Sequence, residues 1–437
     1  MTKTISMLLE YYKEDLLKPD EVISSYLETI KEDQYITNSF IQITDGLALK
    51  ELENLKSPEE QPLYGVPFTL KDCIDIEGHK TTNGAYEKHY EVKQKNSYVM
   101  DKLEKSGAIC LGKTNLPEYA TSVLNHSATF GDVVNCRHPN RISGGSSSGA
   151  AVSVARGLCI FAIGTDTSGS IRVPAACNEV IGFKLPYDKR LLQGVTELSL
   201  TQDHLGVLTR NITDLKEVLK CLNINTLDKL NVVKKIGIPK GYFDSYLEDD
   251  VRIALENVYE DLRASGFDLV EVNTEFLEET LTVARTIGTK EFGMKHMEKL
   301  KNNEFLSQTV KDTLERSNQI TEDMYQKALQ KKAEWMNRFK QIFEEIDLLL
   351  TPTLPIVPPK LGHTSMNINQ KEFDLEELLV RCTSPFNILE LPTISIPTNI
   401  YHQSIKFSVQ LTVTDENIRS LLDFANSLLK NDNLGGY

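Results

Sequence analysis

Apolar residues recur along the chain with two periods, and the changes from one period to the other mark the predicted elements. In PLYGVPFTLKD, Tyr64, Val66, Phe68 and Leu70 alternate with other residues, which predicts a strand ending at Lys71 and Asp72. Ser97 to Gly107 (SYVMDKLEKSG) reads as a helix closed by glycine, and AICLGK after it as a buried strand. That order is β-α-β. Ala150 to Arg156 has small residues suited to a helix packed closely on a sheet, and Leu158 to Ile163 (LCIFAI) is a further buried strand. KIGIP (Lys235 to Pro239), an amphipathic helix over Asp249 to Gly266 and the strand FDLVEV give a second β-α-β unit; Val251, Ala254, Leu255, Val258 and Leu262 share one face of its helix. Residues 2 to 56 read as helical, with Pro19-Asp20-Glu21 as a helix start. Residues 275 to 346 read as mostly helical and charged, with Thr321 capping the last helix and Trp335 in its core-facing side. Asp347 to Pro359 resumes a strand and then a proline-stiffened loop; Ile405, Phe407, Val409, Leu411 and Val413 alternate in a late strand, and a helix near 415 to 430 follows. No repeat of fixed period is present.

With 437 residues, 40% hydrophobic and 25% charged, the chain can bury a large α/β core as one domain with insertions or as two domains. The formal net charge of −14 opposes phosphate backbones and anionic membrane surfaces, so no direct nucleic acid or membrane partner is expected. The seven cysteines are scattered without a C-x-x-C pair, which suggests neither a disulfide framework nor a zinc site and fits a reducing cytoplasm. No apolar run approaches the roughly 18 residues of a membrane span. The stretch MTKTISMLLEYYKEDLL has acidic residues and no long apolar region, so it does not read as a signal peptide.

Candidate chemistry gathers between Arg141 and Ala176. Two turns there, Gly144-Gly145-Ser146-Ser147-Ser148-Gly149 and Gly164-Thr165-Asp166-Thr167-Ser168-Gly169-Ser170-Ile171-Arg172, offer hydroxyls and unencumbered backbone N–H groups, as acyl transfer requires. A flexible linker would have polar, low-complexity flanks, whereas these flanks are apolar and small. Gly107 to Thr114 matches the phosphate-cradling pattern G-x-x-x-x-G-K-T, but a helix precedes it and its four variable residues are themselves a predicted strand. Nucleotide binding is therefore not expected. A serine nucleophile needs a base, and none of the eight histidines sits in a recognisable triad motif. Lysine serves when burial and nearby cations leave its amine neutral, and Lys71, at the end of an alternating strand, is best placed.

Gly65-Val66-Pro67 followed by Lys71-Asp72, then Gly112-Lys113-Thr114-Asn115, the GGSSSG turn and GTDTSGSIRVPAA together resemble the amidase signature family, strongly from about residue 62 to 214 and weakly at DLLLTPTLP and SPFNILELPTISIPT. The separations 146 − 71 = 75 and 170 − 146 = 24 match that family's Lys, cis-Ser, Ser order. The resemblance implies Ser170 as nucleophile, Ser146 as a bridging serine after a cis peptide, and Lys71 as general base. It also implies an oxyanion hole of the backbone N–H groups of Thr167, Ser168, Gly169 and Ser170, with Ser147, Asp166 and Arg172 in support. The implied fold is a large mixed twisted sheet covered by helices on both faces, one domain over 1–437: a helical layer at 1–60, the signature core at 61–220, a mostly helical insertion with a β-α-β unit at 221–346, and completion of the core at 347–437.

The implied activity is hydrolysis of a linear amide through an acyl-enzyme, releasing ammonia or an amine, with no metal or cofactor, a small-molecule amide as substrate, and a homodimer left open. GGSSSGAA and LYGVPF also resemble allophanate hydrolases, while Ile171-Arg172 is more similar to general amidases. Two alternatives stand: the glutaminase component of a glutamyl-tRNA amidotransferase (its A subunit), and a catalytically inactive binding protein of the same fold. The chain departs from the family's pattern at Ser168, usually glycine or alanine, at Leu185-Pro186-Tyr187-Asp188, and at Tyr401-His402-Gln403-Ser404. These loops are expected to shape substrate access.

Overall fold

The alternating stretch ending at Lys71 becomes one strand of a sheet that runs through the whole molecule. The computed structural model describes residues 3–86, 90–127, 129–224, 232–402 and 404–430. Its strands are β1 (Phe40–Ile43), β2 (Val66–Lys71), β3 (Ala108–Thr114), β4 (Phe161–Asp166), β5 (Ile181–Lys184), β6 (His204–Thr209), β7 (Lys235–Lys240), β8 (Asp268–Asn273), β9 (Leu348–Pro352), β10 (Ser365–Ile368), β11 (Lys371–Asp374), β12 (Thr393–His402) and β13 (Ile405–Thr412). Eleven of them form one sheet in the order β1-β3-β2-β4-β6-β5-β12-β13-β9-β7-β8, and β10 and β11 pair as a separate hairpin. The sheet is mixed. β2 runs parallel to β3 and β4, and β7 parallel to β8 and β9, while β4–β6, β5–β12 and β12–β13 are antiparallel.

The pleat of β4 divides the core. Phe161 and Ile163 pack with Met100 and Leu215 on one face, and Ala162 packs with Ala150, Ala151 and Ala175 on the other. Small residues on the second face let the helices Ser148–Ala155 and Arg172–Cys177 lie close to the sheet. Because β2 and β4 are parallel, Lys71 and Asp166 end their strands at the same edge, where ligands bind in open α/β sheets.

Several expectations hold in detail. The helix read over Ser97 to Gly107 forms as Tyr98–Lys105, Thr321 caps its helix by accepting from Met324 N, and Trp335 is 3% exposed within an apolar cluster. The phosphate-loop lookalike is indeed strand β3. Others are corrected. The helical layer at 1–60 contains β1, because Asn38 stops its helix in the left-handed conformation and Phe40–Ile43 then pairs along β3. The strand read at 158–163 begins at Phe161 and runs on through Gly164, Thr165 and Asp166, so the first third of the second turn is strand. β5, β6, β10, β11 and β12 had no counterpart in the sequence reading; β5 and β6 are buried along their whole length and lack polar alternation.

Candidate active site

The end of β2 carries Lys71 into a fully buried position between the two Gly/Ser turns. Its Nζ lies 2.7 Å from Ser146 Oγ and 2.8 Å from Thr165 Oγ1. Burial lowers the Lys71 pKa, and the nearby Cys73 thiol, Asp166 and Asp203 only partly offset it. The group is thus shifted toward the neutral amine.

Ser146 follows a cis peptide bond from Gly145 and is fully buried. The next residue ties the turns together, since Ser147 N donates to Ser170 O at 3.1 Å and Ser147 Oγ to Thr165 O at 3.2 Å. Ser170 is 5% exposed and lies with Thr167 and Ser168 on the wall of a cavity of about 460 Å³. The structure therefore brings Lys71, Ser146 and Ser170 to one place. The Lys71–Ser146 link is closed, whereas no hydrogen bond joins Ser146 to Ser170 among the described residues. Catalytic hydrogen bonds commonly tighten only when substrate is bound.

The turn after β4 is held from below by charge. Arg172, fully buried, donates through Nε and Nη2 to the Asp166 carboxylate at 3.0 and 2.9 Å, and the same carboxylate accepts Ile171 N. Burial alone would raise the Asp166 pKa, but the Arg172 guanidinium holds it well below the usual carboxylate range. Arg172 also donates to Thr383 O, Gln410 Oε1 and Asn387 Oδ1, and Asn387 Nδ2 returns to Asp166 O. Thr383 Oγ1 donates to Ser168 O at 2.6 Å, and Thr167 Oγ1 to Asp203 Oδ1 at 2.6 Å. Gly169 sits at φ +137°, and a Cβ there would come within 2.2 Å of Thr383 Oγ1. Among the described residues, the N–H groups of Thr167, Ser168, Gly169 and Ser170 donate to no protein acceptor.

Thr383, Asn387 and Asp203 were missed in the sequence; the first two lie in or beside SPFNILELP, where the family resemblance was weakest. Lys113, of the rejected phosphate motif, is buried against Asp72 at 2.6 Å and braces the end of β2. No histidine lines the cavity among the described residues, and His89 lies outside them. The substrate-access expectation for the two departing loops is also corrected. Leu185 is buried, Tyr187 hydroxyl donates to Leu200 O, and Tyr401 lies on the surface; none of the three lines the cavity. Gln403 lies outside the described residues. Helices Thr280–Leu300, Gln308–Gln319 and Leu375–Val380 supply much of the cavity wall instead.

The family model and a solved amidase of the same fold place this chain among hydrolases acting on carbon–nitrogen bonds other than peptide bonds. The chain belongs to the Amidase family, whose model matches residues 21–415. It is similar to the A subunit of the glutamyl-tRNA(Gln) amidotransferase of Thermoanaerobacter pseudethanolicus, 29% identical over 91% of this chain and 90% of the relative. A solved amidase structure superposes with TM-score 0.90 at 26% identity, covering 97% of this chain and 98% of that one. Kluyveromyces lactis allophanate hydrolase shares the fold, with TM-score 0.82 at 24% identity over 100% of this chain and 74% of that one. Among the described residues, no helix is long and apolar enough to cross a membrane.

Proposed function

We propose that this amidase cleaves a small linear amide through an acyl-enzyme on Ser170, using the relay Lys71, Ser146, Ser170. The observation that carries the reading is the buried Lys71 Nζ at 2.7 Å from Ser146 Oγ, a low-polarity site that favours a neutral amine. Lys71 accepts the proton of Ser146 as Ser146 accepts that of Ser170, and Ser170 Oγ attacks the carbonyl carbon. The oxyanion is received by the unengaged N–H groups of the Thr167–Ser170 turn, where one such donor is worth about 3 kcal/mol. Collapse breaks the carbon–nitrogen bond, and the proton held by Lys71 returns through Ser146 to the departing amine. Water then loses a proton to the same relay and frees the acid. Every group in the relay belongs to this chain. The seven cysteines, all free thiols, support a reducing cytoplasm as its place.

Ser170→Ala and Lys71→Ala are expected to abolish turnover of an amide panel while leaving the fold intact, as circular dichroism checks. Wild-type turnover in either variant overturns the relay. A second reading, the glutaminase component of a glutamyl-tRNA amidotransferase, draws on the relatives of that description. Ammonia release from glutamine that depends on a co-purified partner would favour it.

A further inference from the structure

Three carboxylates on the cavity wall, Asp374, Glu376 and Glu377, belong neither to the relay nor to the Asp166–Arg172 brace, and Glu376 holds the turn beside Gly145. Glu376, on the helix Leu375–Val380, accepts the hydroxyl of Ser122 and, at 2.8 Å, the backbone N–H of Val123. Ser122 Oγ in turn accepts Leu124 N at 3.1 Å, so one side chain organises the whole turn. That turn lies on the peptide leading into Ser146: a Cβ added to Gly145 would come within 2.8 Å of Ser122 O and 3.3 Å of Val123 Cα. The helix bearing Glu376 also reaches the other turn. Leu375, Leu378 and Leu379 pack in one apolar cluster with Val123 and Leu124 and with Val173, in the helix that follows Ser170.

We infer that Glu376 is a positioning residue, clamping the Ser122–Leu124 turn onto Gly145 so that Ser146 is held in register with Ser170. The inference rests on the relay proposed above. It assigns to a residue 254 positions from Ser122 in sequence a part in activating the nucleophile without contact with the reacting atoms. Both donors lie on adjacent residues, and the carboxylate offers each its own oxygen. Glutamine keeps the Val123 N–H with its oxygen but turns an N–H toward Ser122 Oγ, which already accepts Leu124 N, so the Ser122 hydroxyl loses its acceptor and must take a second donor.

The test reads the reactivity of Ser170 separately from substrate binding. A fluorophosphonate probe forms a bond from Ser170 Oγ to phosphorus as fluoride leaves and the proton passes to the relay. Glu376→Gln is expected to lower the second-order labelling rate and the kcat for an amide by about tenfold, with KM within about twofold of wild type. Ser122→Ala, a milder change, is expected to act similarly, Ser122→Thr to restore the rate, and the double variant to be no slower than the worse single one. Wild-type labelling in both Glu376→Gln and Ser122→Ala overturns the clamp, as does a double variant whose losses multiply. A raised KM with unchanged labelling would instead make Glu376 a substrate contact. Ser170→Ala is run alongside: if it still turns over amide, the relay fails; if it is inert while Glu376→Gln labels normally, only the clamp fails.

Discussion

At the scale of single residues, the turn proposed to receive the oxyanion is held by side chains that do not line the cavity. Thr383 is the clearest case, because its hydroxyl donates to Ser168 O at 2.6 Å while its own carbonyl accepts Arg172 Nη1 at 2.9 Å. A carbonyl fixed in that direction fixes the N–H of Gly169 on the opposite side of the same peptide plane. Thr383→Val removes the donor and sets a methyl against Ser168 O. It is expected to lower kcat by about tenfold with little change in KM, whereas Thr383→Ser stays near wild type. Steady-state kinetics on one amide separates the two. The proposed relay of Lys71, Ser146 and Ser170 was legible in the sequence because its motifs are dense and their separations match the family's pattern. Thr383, Asn387 and Asp203 were not, since they reach the turn from 215, 221 and 36 residues away, and the weak resemblance around SPFNILELP does not single out Thr383 or Asn387. Only the folded sheet brings them together.

At the scale of elements, the helix Ser148–Ala155 places the first turn, and its small residues set how close it lies to the sheet. A Cβ on Gly149 would stand 2.2 Å from Ser39 O and 2.6 Å from Asn115 N, both backbone atoms that cannot rotate away. Gly149→Ala is therefore expected to destabilise the protein by about 3 kcal/mol and to lower activity by displacing Ser146. Gly288, inside the helix Thr280–Leu300, is the contrast: a Cβ there meets only Gln202 Nε2, at 3.5 Å. Gly288→Ala is expected to leave stability unchanged or raise it by up to about 1 kcal/mol. Urea midpoints of the two variants check both signs. The small-residue run was readable as a closely packed helix, but which backbone it would touch was not, because β1 was hidden within a stretch that reads as helical. Likewise β5 and β6, short and buried, carry no alternation from which a sequence reading could place them.

For the whole molecule, the cost of building a buried site shows in how stability varies with pH. Burial raises the pKa of Glu51, Asp214, Glu376 and Asp415 as well as Asp203, so several acids are harder to ionise folded than unfolded. Asp203 allows a clean test. Burial pushes its carboxyl from 3.8 up to about 6, even though Thr167 Oγ1, Leu198 N and Ser199 N all donate to it and pull the other way. The folded state therefore holds the proton more tightly. Its contribution to stability is complete below pH 3.8 and is lost as pH rises through about 6, a change of about 3 kcal/mol for a shift of roughly two pH units. Asparagine at this position keeps the bonding, with its oxygen toward the N–H groups of Leu198 and Ser199 and its amide toward the Thr167 hydroxyl, which can also accept. Asp203→Asn removes the titration and leaves every other acid in place. Its urea unfolding free energy relative to wild type is expected to climb by about 3 kcal/mol between pH 4 and pH 8, most steeply between 3.8 and about 6. A difference that stays constant across that range would mean that Asp203 ionises in the folded protein as easily as in the unfolded chain, and that its three donors fully offset its burial.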